Sequence, residues 1–231
     1  MRGFFRPSNR LTRPQEPRQE IDASERRERT QRHRDRTAEP RLWPEHAVEQ
    51  VHGPRQQLEL GLDVFERLAG DPVTRDWPGL GMAIQAYGLR AVPVIDWLAD
   101  TARRNGRRVT ARLVKGAYWD SEIKRAQERG LQAYPVFTRK ANTDVSYLHC
   151  AARLFAHAGT VHPQFATHNA FSIAAVLALR PARAPLEFQR LHGMGTLLYR
   201  EARRQDPDFP PVRTYAPVGR HEDLLAYLVR R

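Results

Sequence analysis

The chain has 231 residues, a net charge of +12 and 41% hydrophobic residues. That is enough chain for one domain with a real core, and the composition fits a soluble globular class. No apolar run approaches the roughly 18 residues that a membrane span needs, and the single cysteine, Cys150, cannot form an internal disulfide. A lone thiol fits a reducing cytoplasm. The apolar start after Met1 breaks at Arg6, so no export signal is expected. Arginine is spread along the whole chain rather than clustered, which argues against a nucleic-acid footprint.

Residues 1–57 are dominated by Arg, Glu, Gln, Pro and Asp, with Ile21, Leu42, Trp43 and Val48 isolated among them. Such a segment cannot bury enough surface to offset its ordering entropy, and disorder is expected. From Leu58 the character changes. Leu60, Leu62, Val64, Phe65 and Leu68 recur near helical spacing up to Gly70. Residues 79–87 read as a strand, with Met82 and Ile84 opposite Ala83 and Gln85. Pro93 then opens a helix whose stripe is Val94, Trp97, Leu98 and Ala102, closed by Gly106.

The next strand alternates Val109, Ala111 and Leu113 with Thr110 and Arg112. It breaks at Gly116, where the absence of a Cβ permits close backbone approach. Arg112 and Lys115 precede the break and Tyr118 and Trp119 follow it. Asp120 and Ser121 offer N-cap oxygens to a helix over 122–129. Strand, glycine turn and helix in this order mark the carboxyl end of a strand, where α/β proteins bind ligands.

A helix over 143–157 follows, with Val145, Leu148, Ala152 and Phe155 on one face. Strands over 162–167, 186–191 and 212–217 then alternate with helices over 171–179, 196–203 and 222–231. Strands alternating with helices predict βα units and a parallel sheet of five strands. Gln85 ends a strand with an amide that can both donate and accept, and Thr138, Arg139 and Lys140 form a hydroxyl-plus-cation cluster. Thr167, His168 and Asn169 place three hydrogen-bonding side chains at a strand tip. No partner at metal-ligand spacing accompanies His168, so no metal is expected. Tyr227, Arg230 and Arg231 share a helix face, and an arginine pair can take a carboxylate. The bland alternatives are a salt bridge for Arg112, a solvated loop for Arg139 and Lys140, and helix-dipole stabilisation for Arg230 and Arg231.

The stretch RLVKGAYWDSEIKRAQ, from Arg112, resembles the core of the proline dehydrogenase domain of bifunctional proline-utilisation proteins. IQAY at Ile84, YPVFTRK at Tyr134, FATHNA at Phe165, FQRLHGMG at Phe188 and YAPVGRHEDLLAYLVRR at Tyr215 agree with it in the same order. The resemblance covers residues 58–231 and implies a (β/α)8 barrel of which about the last five βα units are recognisable. It implies oxidation of L-proline to Δ1-pyrroline-5-carboxylate by hydride transfer to a non-covalent FAD, with a membrane quinone as electron acceptor. The location it implies is cytoplasmic, with a peripheral place at the inner membrane as the alternative.

By the same resemblance, Arg112 and Tyr215 are the catalytic candidates. Tyr118, Leu191, Tyr215, Tyr227, Arg230 and Arg231 would meet the substrate. Gln85, Arg112, Val114, Lys115, Gly116, Ala117, Trp119, Thr138, Arg139, Lys140, Thr167, His168, Asn169 and Gln189 would meet the cofactor. A lysine and an aspartate that relatives carry on earlier strands find no counterpart, and Val51-His52-Gly53-Pro54 stands where the aspartate would be. Two other readings follow: a non-catalytic remnant of such an enzyme, and a basic nucleic-acid-binding protein. Five parallel strands alone would also leave open edges that invite association.

Overall fold

The structure is a computed structural model that describes residues 55–216. The segment expected to be disordered, apart from its last three residues, lies outside the described residues. So does the segment expected to form the final helix, with Tyr227, Arg230 and Arg231. In order, the described elements are α1 (Arg55–Gly70), β1 (Gly81–Gln85), α2 (Ala91–Arg104), β2 (Val109–Val114), α3 (Trp119–Glu128) and α4 (Lys140–Ala156). Then come β3 (Val161–Ala166), α5 (Ala170–Leu179), β4 (Glu187–Leu191), α6 (Thr196–Gln205) and β5 (Val212–Tyr215).

The five strands are all parallel and lie in the sheet in their chain order. A parallel crossover is almost always right-handed, so strands laid down in sequence order carry their helices on one face. Alternation along each strand does the rest. Met82, Ile84, Val109, Ala111, Leu113, Val161, Phe165 and Phe188 are buried and join residues of the helices in one core. The other face carries Ala83, Gln85, Thr110, Arg112, His162, Gln164, Glu187 and Gln189, which the register brings side by side.

Three local expectations need correction. In α1 the buried positions are Phe65 and Ala69, with Leu58 and Leu62 packed beside them, while Leu60 and Val64 are 63% and 44% exposed. The stripe that faces the sheet repeats at helical spacing from Leu58, which turns Leu60 and Val64 outward. α4 starts at Lys140 and buries Thr143, Tyr147, Cys150, Ala151, Leu154 and Phe155, leaving Val145 69% exposed. Phe155 is buried and Leu148 packs against the core as expected, but Ala152 is exposed like Val145, so periodicity alone placed the edge of the buried face wrongly. α3 starts at Trp119, and Asp120 sits in its first turn rather than at its cap.

Arg107 joins α1 to the sheet. Its guanidinium donates to the carbonyls of Ala69 at 3.2 Å, Thr74 at 2.9 Å and Trp77 at 2.9 Å, and to Thr74 Oγ1 at 3.1 Å. The Ala69 carbonyl belongs to the last turn of α1, where no intrahelical donor is available.

An aromatic column runs through the core. Phe165 lies 5.4 Å from Phe155 and 6.1 Å from Phe188, and Phe188 stacks on Phe209 at 5.4 Å. Phe165 is fully buried. Phe165→Ala is expected to destabilise the fold by about 3–5 kcal/mol, because lost transfer energy adds to a cavity the neighbours cannot fill. Urea midpoints measure this, and a loss under about 1 kcal/mol would contradict the packing described.

On the polar face Glu187 ties β4 to β5. Arg213 Nε donates to its Oε1 at 2.8 Å and Nη2 to its Oε2 at 2.7 Å. Burial would raise the Glu187 carboxyl, but hydrogen bonds from Arg213 and Gln189 and the guanidinium charge outweigh it and hold the group below its ordinary value. A carboxyl easier to ionise in the folded state contributes stability above its unfolded pKa and loses it as pH falls toward the folded one. The difference in Tm between wild type and Glu187→Gln is therefore expected to shrink from about pH 5 downward. A difference independent of pH would show that the pair contributes nothing through ionisation.

Candidate functional site

The polar face and the carboxyl ends of the strands bring together most of the residues singled out from sequence. Arg112, on β2, reaches across β3 and β4 to place its guanidinium over the Tyr215 ring of β5, 4.4 Å from the centroid. A cation over an aromatic face is attracted by the ring quadrupole. Contact between strands separated by two others requires a sheet curved toward this face. The Arg112 Nε is buried with no hydrogen-bond partner, and no salt bridge engages Arg112 among the described residues. The bland alternative for Arg112 is therefore not realised there.

Two buried glutamines frame the same face, and their partners fix how each amide points. The Ala117 backbone N–H donates to Gln85 Oε1 at 3.3 Å. Gln189 Nε2 donates to Glu187 Oε1 at 2.9 Å. Val114 and Leu191 are half-buried at the strand ends, and Leu191 pairs in register with Tyr215.

His168 follows β3. Its Nε2 accepts from the Leu191 backbone N–H at 2.9 Å, which assigns the ring proton of the neutral form to Nδ1. Burial and the neighbouring Arg190 charge lower its pKa, so the neutral form is favoured. Thr167 is buried, with its hydroxyl accepting from the Asn169 N–H at 3.1 Å. Asn169 caps α5, its side-chain oxygen accepting from Ser172 N–H at 2.9 Å. Capping supplies a structural reason for Asn169 whether or not it meets a ligand.

The loop after β2 is more committed than sequence suggests. Gly116 has φ +141°, and a Cβ there would fall 1.3 Å from Tyr87 Cδ1. The freedom of this glycine accommodates the Tyr87 ring on one side. Lys115 and Lys140 both bind Asp144, each at 2.6 Å. Hydrogen bonds from the two lysines hold the Asp144 carboxyl below its ordinary value, against a smaller opposing effect of burial. Ala117 is exposed, Tyr118 is half-buried, and Trp119 is 41% exposed with its indole N–H donating to the Phe137 carbonyl at 2.8 Å. Thr138, Arg139 and Lys140 are exposed at the start of α4, where unpaired N–H groups and the helix dipole favour phosphate.

Asp144, Glu187 and Arg213 belong to this network and were not anticipated. Glu187 had a signal, since it precedes Gln189 by two residues on one strand and so shares its face. Asp144 had a local signal in Lys140, four residues before it on the same helix, but its pairing with Lys115 is distant in sequence. Glu122 was also missed. It lines a cleft of about 890 Å³ along the edge of β1, together with Ile84, Val94, Leu131, Tyr134 and Val136. Its Oε1 has no hydrogen-bond partner, Arg125 standing 3.8 Å away, and burial raises the carboxyl's pKa. No group of metal-ligating side chains occurs among the described residues, and no described helix is long and apolar enough to cross a membrane.

Comparison with known proteins shows the family of the chain. The family model for proline dehydrogenase matches residues 54–231. The chain is 54% identical over 181 residues to the bifunctional protein PutA of Salmonella typhimurium, covering 76% of this chain and 14% of that protein. It is 52% identical over 179 residues to PutA of Rhizobium meliloti, with the same coverage of each. The chain thus spans about a seventh of the length of these curated relatives. A crystal structure of a Bradyrhizobium japonicum proline utilization A variant superposes with a TM-score of 0.73 at 54% identity, covering 78% of this chain and 18% of that one. Proline utilization A from Bdellovibrio bacteriovorus, solved after inactivation by N-propargylglycine, gives 0.68 at 36% identity, covering 75% and 18%. The parallel, singly wound units are those of the (β/α)8-barrel class to which these domains belong. With a family match over most of its length and more than half of its aligned residues shared with PutA, the chain belongs to the proline dehydrogenase family.

Proposed function

We propose that residues 58–231 form a partial proline dehydrogenase barrel that holds FAD non-covalently and oxidises L-proline to Δ1-pyrroline-5-carboxylate, with a quinone as the electron acceptor. The observation that carries this reading is Arg112 reaching across the polar face to Tyr215 with its Nε buried and unpartnered. A fixed cation with donor capacity to spare suits a flavin, whose reduced ring is anionic. FAD supplies the hydride acceptor, and the protein supplies binding, orientation and charge.

The residues present fit that cofactor. Gln85, Gln189 and His168 line the strand ends with amide and imidazole groups, each with one hydrogen-bonding atom already engaged. These would hold the ring. Thr138, Arg139 and Lys140 at the start of α4 would hold the diphosphate and adenosine portion, and Thr167 and Asn169 would meet the cofactor from the end of β3. Val114, Lys115, Gly116, Ala117 and Trp119 would border the flavin along the loop after β2. Tyr118, Leu191 and Tyr215 would wall the amino-acid pocket, and Arg230 and Arg231, with Tyr227, would take the substrate carboxylate bidentately. No cysteine or histidine falls where the matched motifs would place the ring methyl groups, which favours a non-covalent flavin.

The test is the full chain purified with added FAD. Acid precipitation should leave the flavin in the supernatant, and yellow colour in the pellet would contradict non-covalent binding. L-proline added without oxygen should bleach the bound flavin. N-propargylglycine, which inactivates proline utilization A from Bdellovibrio bacteriovorus, should likewise inactivate any proline:dye activity of this chain. Flavin that binds and resists bleaching would favour the non-catalytic remnant instead.

A second prediction separates the two ends of the site. Arg231→Ala should abolish bleaching by proline while flavin remains bound, because it removes one arm of the carboxylate clamp. Arg112→Ala should weaken the flavin itself, by roughly 1–3 kcal/mol if a charge-assisted bond is lost. Flavin loss in Arg231→Ala at the level of Arg112→Ala would break this division of roles.

A further inference from the structure

Glu187 opens β4 and is buried, and Gln189 is buried two residues on, on the same face. The Glu187 carboxylate takes four donors: Arg213 Nε at 2.8 Å, Arg213 Nη2 at 2.7 Å, Gln189 Nε2 at 2.9 Å and Gln164 Nε2 at 3.3 Å. An ionised carboxylate offers acceptors only. The atom of the Gln189 amide that lies against it must therefore be the NH₂, since the opposite orientation would set two acceptors face to face. The amide oxygen of Gln189 is left over, and it takes no hydrogen bond among the described residues. Gln85 is set the other way. A backbone N–H can only donate, so the atom facing Ala117 is the amide oxygen, and the NH₂ of Gln85 is left over. Two buried amides on one face are thus held in opposite senses by two different partners.

We propose that Glu187 is a positioning residue: by consuming the NH₂ of Gln189 it presents an acceptor-only amide oxygen, and that oxygen takes the imide N–H of the flavin ring. The inference rests on the FAD reading above. An oxidised isoalloxazine carries one ring N–H, at its imide, and its other hydrogen-bonding atoms accept. A glutamine free to turn could satisfy either kind of atom, whereas one held by Glu187 is selective. Arg213 completes the device by engaging both oxygens of Glu187, which keeps the carboxylate ionised and in place.

The experiment titrates the full chain with FAD and with FAD methylated at the imide nitrogen, following flavin fluorescence. Wild type is expected to prefer FAD by roughly tenfold or more, the cost of an acceptor left unpaired in a buried site. Three of the four donors converge on Glu187 Oε1, so a glutamine here would keep its amide oxygen at that point and leave Gln189 held. Glu187→Leu removes every acceptor instead and frees the Gln189 amide to turn its NH₂ toward the ligand. The preference should then fall to near unity, with FAD bound more weakly. Glu187→Asp keeps an acceptor-only group and should keep most of the preference. Gln189→Leu should lose it while leaving the Glu187–Arg213 pair intact. Circular dichroism confirms that each variant is folded.

Undiminished preference in folded Glu187→Leu would overturn the role of Glu187, because a purely steric effect of the methyl group would persist there unchanged. If Glu187→Leu does not fold, loss of the preference in Glu187→Asp overturns that role instead. Equal affinity of the wild type for the two flavins would place Gln189 on another donor, such as a ribityl hydroxyl, and overturn the assignment. Absence of any FAD binding by the wild type would sink the functional reading itself, an outcome distinct from the other three.

Discussion

Strands placed side by side in chain order, each joined to the next by a right-handed crossover, can put their helices only on one face. Everything else in the described region follows from that constraint. One face of every strand must be apolar enough to meet helices, and it is: Ile84, Leu113, Phe165 and Phe188 lie on it. The other face receives no helix among the described residues. Polar side chains there need not be buried against hydrocarbon, so they are available to one another and to a ligand. The period of two that hides Phe165 between Gln164 and Ala166 is the same period that lines up Arg112, Gln164 and Glu187.

Within that polar face, fixed partners matter more than the number of polar groups. Glutamine alone has no preferred sense, because its amide donates at one end and accepts at the other. The chain removes the ambiguity with groups that have one sense only: an ionised carboxylate for Gln189, a backbone N–H for Gln85, and another backbone N–H for His168. Each of these costs a buried polar group its contact with water and returns a hydrogen bond of defined direction. The site is prepared in its polarity before any ligand arrives.

Much of this is legible in the sequence, and the misses have physical causes. Strands were readable because β-branched and aromatic residues alternate with polar ones at Val109 to Val114 and at Val161 to Ala166. Candidate site residues could be singled out because the motifs that carry them are long and ordered. The faces of α1 and α4 were misassigned where apolar residues spill over more than one side of a helix, so that tertiary contact, not periodicity, decides which side is buried. Leu60 and Val145 are examples. Pairings over long sequence separation, such as Lys115 with Asp144 or Arg213 with Glu187, leave no local trace at all. Gly116 was legible as a special position. Its neighbour, the Tyr87 ring, was not.

The abundance of arginine looks in the sequence like drift in composition, and for most exposed positions that view stands. Arg107 is different. One planar group collects carbonyls from the end of α1, from the turn after it and from the approach to β1. A lysine has a single charged nitrogen and cannot reach several acceptors in a plane at once. A lineage that exchanged arginine for lysine freely could therefore do so over the surface of this domain but would find position 107 closed to the exchange. The end of the first helix would otherwise lose its tie to the turn that follows it and to the approach to β1.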